Sequence, residues 1–300
     1  MSGFALAGAF ELGLLFSLIA FAVYISFRVL DFPDLTIDGS FPLGAAVTAI
    51  LIVSGFNPWI ATLISIVAGA MAGFVTAYLC VRMKILNLLA SILVMIALYS
   101  INLRIMGGPN IALLGEVTIF DPMLEFIKSI LYITGIPDYF ALVFIFGAII
   151  IIVFYLLKLF LYSESGLAMR AVGMNNKMAN AQGINSNISI LLGMSISNAL
   201  VALAGSLYAQ SQGIADVTMG VGTIVLGLAS VIGGEALVNT RTVFRALVAC
   251  VVGAVVYRLA ITFALELDFL GFKSQDLNLL TAILVTLAIV LPNIKKGAAK

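Results

Sequence analysis

The sequence predicts an all-α polytopic membrane protein, and three observations lead to that fold class. Of its 300 residues, 63% are hydrophobic and only 10% are charged, whereas a soluble domain carries about 25% charged residues. Several apolar runs reach the length of about 20 residues that a helix needs to cross a bilayer. The runs are continuous, unlike the alternating segments of about ten residues that are typical of a membrane β-barrel.

About nine apolar segments are the predicted membrane spans, within a range of about eight to ten. They cover residues 4–28, 37–54, 57–81, 85–106, 139–161, 188–209, 218–234, 242–265 and 277–293. The second and seventh segments are short and rich in glycine. The first lacks a basic start and a cleavage site, which favours a retained helix over a signal peptide.

The placement of Lys and Arg predicts the orientation, because cytoplasmic loops carry an excess of these residues. With the N-terminus outside and the C-terminus in the cytoplasm, eleven of the 15 Lys and Arg residues lie at or near the cytoplasmic face. The other four are Arg104, Lys128, Arg258 and Lys273. The segment "DPMLEFIKSIL", on the outside, is typical of an amphipathic helix at the membrane interface.

The order of the spans indicates an inverted repeat. Spans one to four and spans six to nine each occupy about 105 residues, and the single span between them gives the second set the opposite orientation. Each set has a short, glycine-interrupted element in second place. We therefore expect one transmembrane domain over residues 1–300, with a first repeat at 1–106, a connecting region at 107–187 and a second repeat at 188–300.

Composition argues against several kinds of chemistry. The chain has no histidine, so it has no nucleophile–histidine pair, and its cysteines, Cys80 and Cys250, fall inside apolar runs as packing residues. It has no GxxxxGK[ST] loop for the phosphates of ATP. The net charge of only +1 gives no sign of the basic surface that nucleic-acid binding requires. We therefore expect no enzyme activity, no metal and no cofactor in this chain.

The stretch "LTIDGSFPLG" carries Asp38 at the edge of the second span. A carboxylate at membrane depth is costly and is expected to face protein or a water-filled path. Gly39 and Pro42 interrupt regular helix, and the hydroxyl groups of Thr36 and Ser40 can satisfy freed backbone groups. The stretch is a broken helix that lines a translocation pathway, or a helix start at which Asp38 or Thr36 caps backbone N–H groups. Both interpretations can hold together.

Further polar and small residues lie within the predicted spans. Asn87, Asn102 and Asn198 are interhelical hydrogen-bonding groups or solute contacts. Arg258, deep in the eighth span, either snorkels or pairs with a carboxylate such as Glu266. The candidate pathway residues are Thr36, Asp38, Gly39, Ser40, Phe41, Asn102 and Asn198.

Small residues recur every four positions in the third span, at Ser65, Gly69, Gly73 and Ala77. They share one helix face, which lets a second helix approach closely. That face packs within the chain or against another subunit.

A polar segment, "YSESGLAMRAVGMNNKMANAQGINSN" at residues 162–187, interrupts the apolar runs. Ser163 or Ser165 can cap a helix that Gly173 ends, and a second helical turn can end at Gly183. By its spacing alone, the segment is a docking element for a partner's groove or an ordered loop without a partner.

This polar segment resembles the cytoplasmic coupling loop of ABC-importer permease subunits, in the group that includes branched-chain amino acid, ribose and nucleoside permeases. Members typically show G-x-x-x-R-A-x-G-x-N-x-x-x-A-x-x-x-G-I-N. The matching residues here are Gly166, Arg170, Ala171, Gly173, Asn175, Ala179, Gly183, Ile184 and Asn185. The likeness extends to "TIDGSFPLGAAV" and to "GTIVLGLASVIGGEAL", where Leu228 replaces the second glycine of the usual pair.

The resemblance implies a permease subunit in the bacterial cytoplasmic (inner) membrane that imports a small polar solute, above all an amino acid, either aromatic or branched-chain. The implied partners are an ATP-binding-cassette ATPase that binds the ATP, an extracytoplasmic substrate-binding protein, a second permease subunit and membrane lipid. The second subunit is another copy of this chain or a homologue, and a homodimer is favoured because two-fold symmetric assemblies are the commonest. The implied coupling residues are Glu164, Gly166, Arg170, Ala171, Gly173, Asn175, Ala179, Gly183 and Asn185. A stand-alone ion-coupled secondary transporter and a channel or scaffold subunit are the alternatives.

Overall fold

The computed structural model describes residues 3–134, 137–266 and 286. Its helices are α1 (Gly3–Val23), continued by a π-helix (Tyr24–Val29), α2 (Ile37–Val53), α3 (Pro58–Val81), α4 (Asn87–Met106), α5 (Phe120–Thr134), α6 (Ala141–Tyr162, after a 3₁₀ turn at Asp138–Phe140), α7 (Glu164–Met174), α8 (Asn176–Ala181), α9 (Ser186–Gln212), α10 (Thr223–Leu237) and α11 (Val243–Glu266). Strands β1 (Asn110–Ala112) and β2 (Ile214–Asp216) pair antiparallel, with Ile111 opposite Ala215.

The predicted all-helical membrane fold is confirmed. Within the described ranges, six helices are long and apolar enough to cross a membrane: α1 with its π-helix, α3, α4, α6 with its preceding turn, α9 and α11. The segments predicted second and seventh form α2 and α10, with 17 and 15 residues, which is short of the roughly 20 residues of an upright span. The predicted ninth segment lies outside the described residues, apart from Thr286.

The described chain forms two compact units. One unit comprises the described residues within Met1–Ala20, Leu124–Lys158 and Val225–Lys300, and the other comprises Phe21–Met123 and Leu159–Ile224. Each unit therefore combines segments from both halves of the chain. In the first unit, the guanidinium carbon of Arg258 lies 5.8 Å from the centre of the Phe16 ring. Arg258, which lies within the predicted eighth span, therefore makes a cation–π contact with Phe16.

Close contact between α3 and α9 dominates the second unit. A Cβ atom added at Gly73 would overlap the backbone carbonyl oxygen of Met194, and one added at Gly69 would meet the carbonyl oxygen of Asn198 at 2.5 Å. Ser65 and Ala77 on the same face are fully buried. The stripe of small residues on α3 thus packs within the chain, which confirms that interpretation of its four-residue period.

Helix α2 completes this core by packing on α9 in the same way. A Cβ atom at Gly44 would overlap the carbonyl oxygen of Ala202, and one at Gly205 would overlap the carbonyl oxygen of Phe41. Helices α2 and α3 therefore each touch α9 backbone to backbone, at positions where only glycine leaves room.

A network of five completely buried polar residues lies among these helices. The Asp34 carboxylate accepts hydrogen bonds from the Thr36 backbone N–H at 2.9 Å and from the Asn198 side-chain amide at 2.8 Å. Ser40 donates to the amide oxygen of Asn198 at 2.7 Å, and the hydroxyl groups of Thr36 and Thr76 are 2.8 Å apart. The network joins the linker before α2 to α2, α3 and α9.

A second buried network joins the same helices closer to the C-terminal end of α9. Thr48 donates to the Ser206 hydroxyl at 2.7 Å, and the Thr62 and Ser206 hydroxyl oxygens are 3.1 Å apart. Gln210 donates to the Thr62 hydroxyl at 3.0 Å and accepts from the Ile119 backbone N–H at 3.1 Å. Interhelical hydrogen bonds of this kind hold helices together where no water competes for them.

We expect Gly73→Ala to destabilise the protein, because the new methyl group must displace the backbone of α9. Overpacking of this kind typically costs about 1–3 kcal/mol, which lowers the melting temperature of the purified chain in detergent. Gly147→Ala is the matched control, since nothing lies within 4 Å of a Cβ atom there. It should leave the melting temperature unchanged or raise it slightly. Equal melting temperatures for the two variants would contradict the close α3–α9 contact.

We also expect Asn198→Leu to destabilise the protein, because it removes the hydrogen bond from the Asn198 amide to the buried Asp34 carboxyl group. Removal of a hydrogen bond from a buried polar group costs about 1–3 kcal/mol. A double-mutant cycle of Asn198→Leu with Asp34→Leu, followed by thermal melting, should show strong coupling. Additive effects of the two substitutions would mean that the pair does not act as one unit.

Candidate functional site

Asp38 binds the first turn of α10. Its Oδ1 accepts hydrogen bonds from the Ile224 backbone N–H at 2.8 Å and from the Thr223 hydroxyl at 2.9 Å, and its Oδ2 accepts from the Gly222 N–H at 3.2 Å. Because the first N–H groups of a helix lack partners and carry partial positive charge, a carboxylate there is stabilising. Asp38 thereby links the start of α2 to the start of α10.

This geometry corrects the capping interpretation of "LTIDGS". That interpretation placed Asp38 or Thr36 at the start of their own helix, whereas the helix start that Asp38 satisfies is that of α10. Thr36 occupies the N-cap position of α2 and makes no side-chain capping hydrogen bond. Local sequence pattern cannot reveal such a cap, because the acceptor and its donors are 184 to 186 residues apart.

Two glycines before α10 allow this approach, and the sequence analysis did not single them out. A Cβ atom at Gly220 would overlap the backbone carbonyl oxygen of Asp38, and Gly222 has a φ of +86°. Left-handed backbone is strained for most residues but not for glycine. The spacing G-x-G near the start of the predicted seventh segment, in "MGVGTIV", is the signal that was available.

A cavity of about 390 Å³ adjoins Asp38. It lies between the start of α2, one side of α4 and the turn after β2. Its lining residues are Asp38, Gly39, Pro42, Met95, Ile96, Tyr99, Ser100, Asn102, Val217 and Val221. Three of the seven candidate pathway residues, Asp38, Gly39 and Asn102, therefore line one cavity.

Asn102 has an unsatisfied group at this cavity. The residue is completely buried, and its side-chain amide nitrogen donates to the Gly39 carbonyl oxygen at 3.2 Å. Its Oδ1 atom is buried and has no hydrogen-bond partner. Because buried polar atoms are almost always paired in folded proteins, such an acceptor is a feature that calls for an explanation.

The other four candidate pathway residues do not line the cavity. Thr36, Ser40 and Asn198 belong to the buried network around Asp34. Phe41 is buried, with its ring centre 5.6 Å from that of Tyr208. In this structure these four residues hold α2 against α3 and α9, and their contribution to a pathway stays a prediction.

The polar segment after α6 forms two short helices, as its capping pattern predicts. Ser163 accepts from the Gly166 N–H at 3.4 Å at the start of α7, and Asn175 accepts from the Met178 N–H at 3.0 Å at the start of α8. Asn185 caps the start of α9. Gly183, after α8, has a φ of +84°, which fits its predicted place at a helix end.

The role predicted for Gly173 is wrong. Helix α7 continues through this residue to Met174 and ends in the extended backbone of Asn175. A Cβ atom at Gly173 would overlap the carbonyl oxygen of Val29, the last residue of the π-helix. Gly166 similarly lies against the backbone of Phe160. These two glycines are needed for close backbone packing and not for helix termination.

The nine candidate coupling residues differ in exposure. Two are buried (Gly166 and Ala179), three are half-buried (Arg170, Ala171 and Gly173), and four are exposed (Glu164, Asn175, Gly183 and Asn185). Much of the apolar surface of the segment comes from residues outside this set. Leu167, Met174 and Met178 are exposed by 50%, 87% and 51%. A groove of about 320 Å³ between α7 and the start of α9 adjoins Glu164 and Asn185.

Comparison with known proteins gives consistent matches over most of the chain. A protein family described as "Branched-chain amino acid transport system / permease component" matches residues 6–291. The chain is 42% identical to a tyrosine transport system permease protein of Clostridioides difficile (strain R20291), over 91% of this chain and 86% of that protein. It is 33% identical to the uncharacterized protein RP368 of Rickettsia prowazekii (strain Madrid E), over 94% and 95% of the two chains.

A more distant match is the galactofuranose transporter permease protein YtfT of Escherichia coli (strain K12). It is 28% identical over 74% of this chain and 61% of that protein. No solved structure gives a significant match. The family match covers nearly the whole chain, and the resemblance that the polar segment suggested is thereby confirmed. This chain is a multi-pass membrane protein of the branched-chain amino acid transport system permease family, a family of transport subunits.

Proposed function

We propose that this chain is the transmembrane subunit of an ABC importer for an amino acid, with ATP bound and hydrolysed on a separate ATPase subunit. The observation that carries the proposal is the capped pair α7–α8, which presents exposed apolar side chains from a polar segment between spans. The identity of 42% to a protein named as a tyrosine transport permease supports an aromatic amino acid as the solute.

The proposal includes about nine spans, with the N-terminus outside and the C-terminus and α7–α8 in the cytoplasm of a bacterium. It places α2 and α10 in equivalent positions of an inverted repeat. The short length of both helices and the meeting of their N-terminal ends at Asp38 support this symmetry, because transporters with inverted repeats often place the ends of discontinuous helices near a central site. Two copies of the chain would form the translocation pathway, and an extracytoplasmic binding protein would deliver the solute.

Coupling to the ATPase is proposed to occur through the exposed apolar side chains of α7–α8. Leu167, Met174 and Met178 would enter a groove of the ATPase, since an apolar helix face in a groove is a common docking mode. The residues of the family pattern then shape and cap the two helices. Movement of the ATPase on binding ATP would be passed to the spans through the backbone contact between Gly173 and Val29.

We expect Met174→Glu to weaken copurification with the ATPase about tenfold or more, because a charge would be buried in the interface. Candidate ATPases are co-expressed with the chain, and copurification and ATP-driven uptake in proteoliposomes are measured. Met83→Glu is the matched control, since Met83 is 60% exposed and lies outside α7–α8. Gly173→Leu should also reduce uptake. Unchanged copurification and uptake in both loop variants would reject the coupling assignment.

We expect Asp38→Ala to reduce ATP-driven uptake at least tenfold while the ATPase still copurifies, because the substitution releases the first turn of α10 and alters the cavity. Glu116→Ala, at an exposed carboxylate away from this cavity, should retain full uptake. Wild-type uptake by Asp38→Ala would remove this residue from the pathway. Uptake that depends on an ion gradient and needs no ATPase would instead support the secondary-transporter alternative.

A further inference from the structure

We infer that the cavity beside Asp38 binds the amino acid by its ammonium group, with its apolar side chain against Tyr99 and the neighbouring face of α4. This inference rests on the proposed function, and it adds which end of the solute the permease itself recognises. It derives from the charge of the cavity, from the unsatisfied acceptor of Asn102 and from the character of the other lining residues.

The charge of the cavity favours a cationic group. Asp38 is the single charged side chain among the ten described residues that line it. Its carboxylate accepts three hydrogen bonds from the 222–224 segment. A carboxylate has about four acceptor positions, so Asp38 can accept one more donor. An ammonium group would supply both that donor and the opposite charge, whereas a solute carboxylate would meet a like charge.

A second acceptor, the Asn102 amide oxygen, belongs to a residue that lines the same cavity and is itself buried beneath the cavity surface. Its orientation follows from the hydrogen-bond pattern, because the amide nitrogen must face the Gly39 carbonyl oxygen and the oxygen must therefore point the other way. Gly39 is the neighbour of Asp38 in the chain, and Asp38 and Asn102 line the same cavity. A primary ammonium group has three N–H donors and can serve both acceptors at once.

The remaining surface suits a large apolar side chain. Met95, Ile96 and Tyr99 follow one another along α4, and Val217 and Val221 come from the turn after β2. The Tyr99 side chain is half exposed and offers a ring for stacking. The volume of about 390 Å³ is within the range of small-molecule sites. A sugar would place hydroxyl groups against these apolar walls, where they lose hydrogen bonds to water.

The test measures binding of radiolabelled L-tyrosine to the purified full chain in lipid nanodiscs, without ATPase or binding protein. Unlabelled competitors separate the ends of the solute: tyramine keeps the ammonium group and lacks the carboxylate, and 3-(4-hydroxyphenyl)propionate has the reverse. We expect tyramine to compete within about threefold of tyrosine, and the propionate and D-galactose to compete at least about tenfold more weakly. Equal competition by the propionate and tyramine would overturn ammonium recognition.

Three substitutions test which residues bind the ammonium group and which bind the side chain of the solute. Asn102→Leu and Asp38→Asn should each weaken tyramine binding about tenfold or more, and Tyr99→Ala should weaken binding of tyrosine more than binding of ethylamine. Tyr78→Ala is the control, because Tyr78 is similarly exposed on α3 and does not line the cavity. If the Asn102→Leu variant binds tyramine as tightly as the wild type does, the proposed site is wrong.

The result also separates this inference from the proposed function. ATP-driven tyrosine uptake by the assembled importer, together with absence of tyramine binding to the chain in nanodiscs, would reject the cavity as an ammonium site and leave the permease function standing. Tyramine binding that depends on Asn102, without uptake in the presence of any candidate ATPase and binding protein, would support the cavity and reject the importer.

Discussion

The structure of the second unit depends on the backbone contact of α2, α3 and α9. Lipid tails are as apolar as leucine side chains, so helices in a bilayer gain little from apolar burial and associate through close packing and hydrogen bonds. Glycines at four positions let the backbones of these helices touch. The two buried polar networks then form across the contact, since their hydroxyl and amide groups are short and reach only a close neighbour. The linker before α2 is held to this core by Asp34, and the second half of α4 packs on it through Val94, Leu98 and Asn102.

Polar groups in this unit are of two kinds. Those in the buried networks are satisfied within the protein, and they hold one arrangement of the helices. Those at the cavity are satisfied only in part: Asp38 can accept a further donor, and Asn102 has an amide oxygen with no partner. Polar groups of the first kind are compatible with a stable core, because each has hydrogen-bond partners within the protein. The second kind is expected where a solute completes the hydrogen bonds, which is why the cavity, and not the Asp34 network, is the candidate binding site.

Much of this arrangement could be predicted from the sequence, and the remainder could not, for physical reasons. The helices coincide with apolar runs because bilayer thickness sets a minimum length, and the α3 stripe follows from a period of four residues. The Asp34 network was missed, because Asp34 precedes a predicted span and its partner Asn198 is 164 residues away. The binding of Asp38 to α10 was missed for the same reason. Gly173 was read as a helix end because its contact with Val29 depends on tertiary packing.

The contact between Gly173 and Val29 has a mechanical consequence. Packed backbones are nearly incompressible, and here no flexible side chain lies between them to absorb a displacement. If α7 is pushed toward Val29, the end of the π-helix must shift by a similar distance. Only residues 30–37 separate that end from Asp38, and the fully buried Asp34 anchors this short stretch to α9. A short stretch of chain, held at Asp34, thus connects the cavity wall to α7, and a small displacement of α7 is expected to reach Asp38.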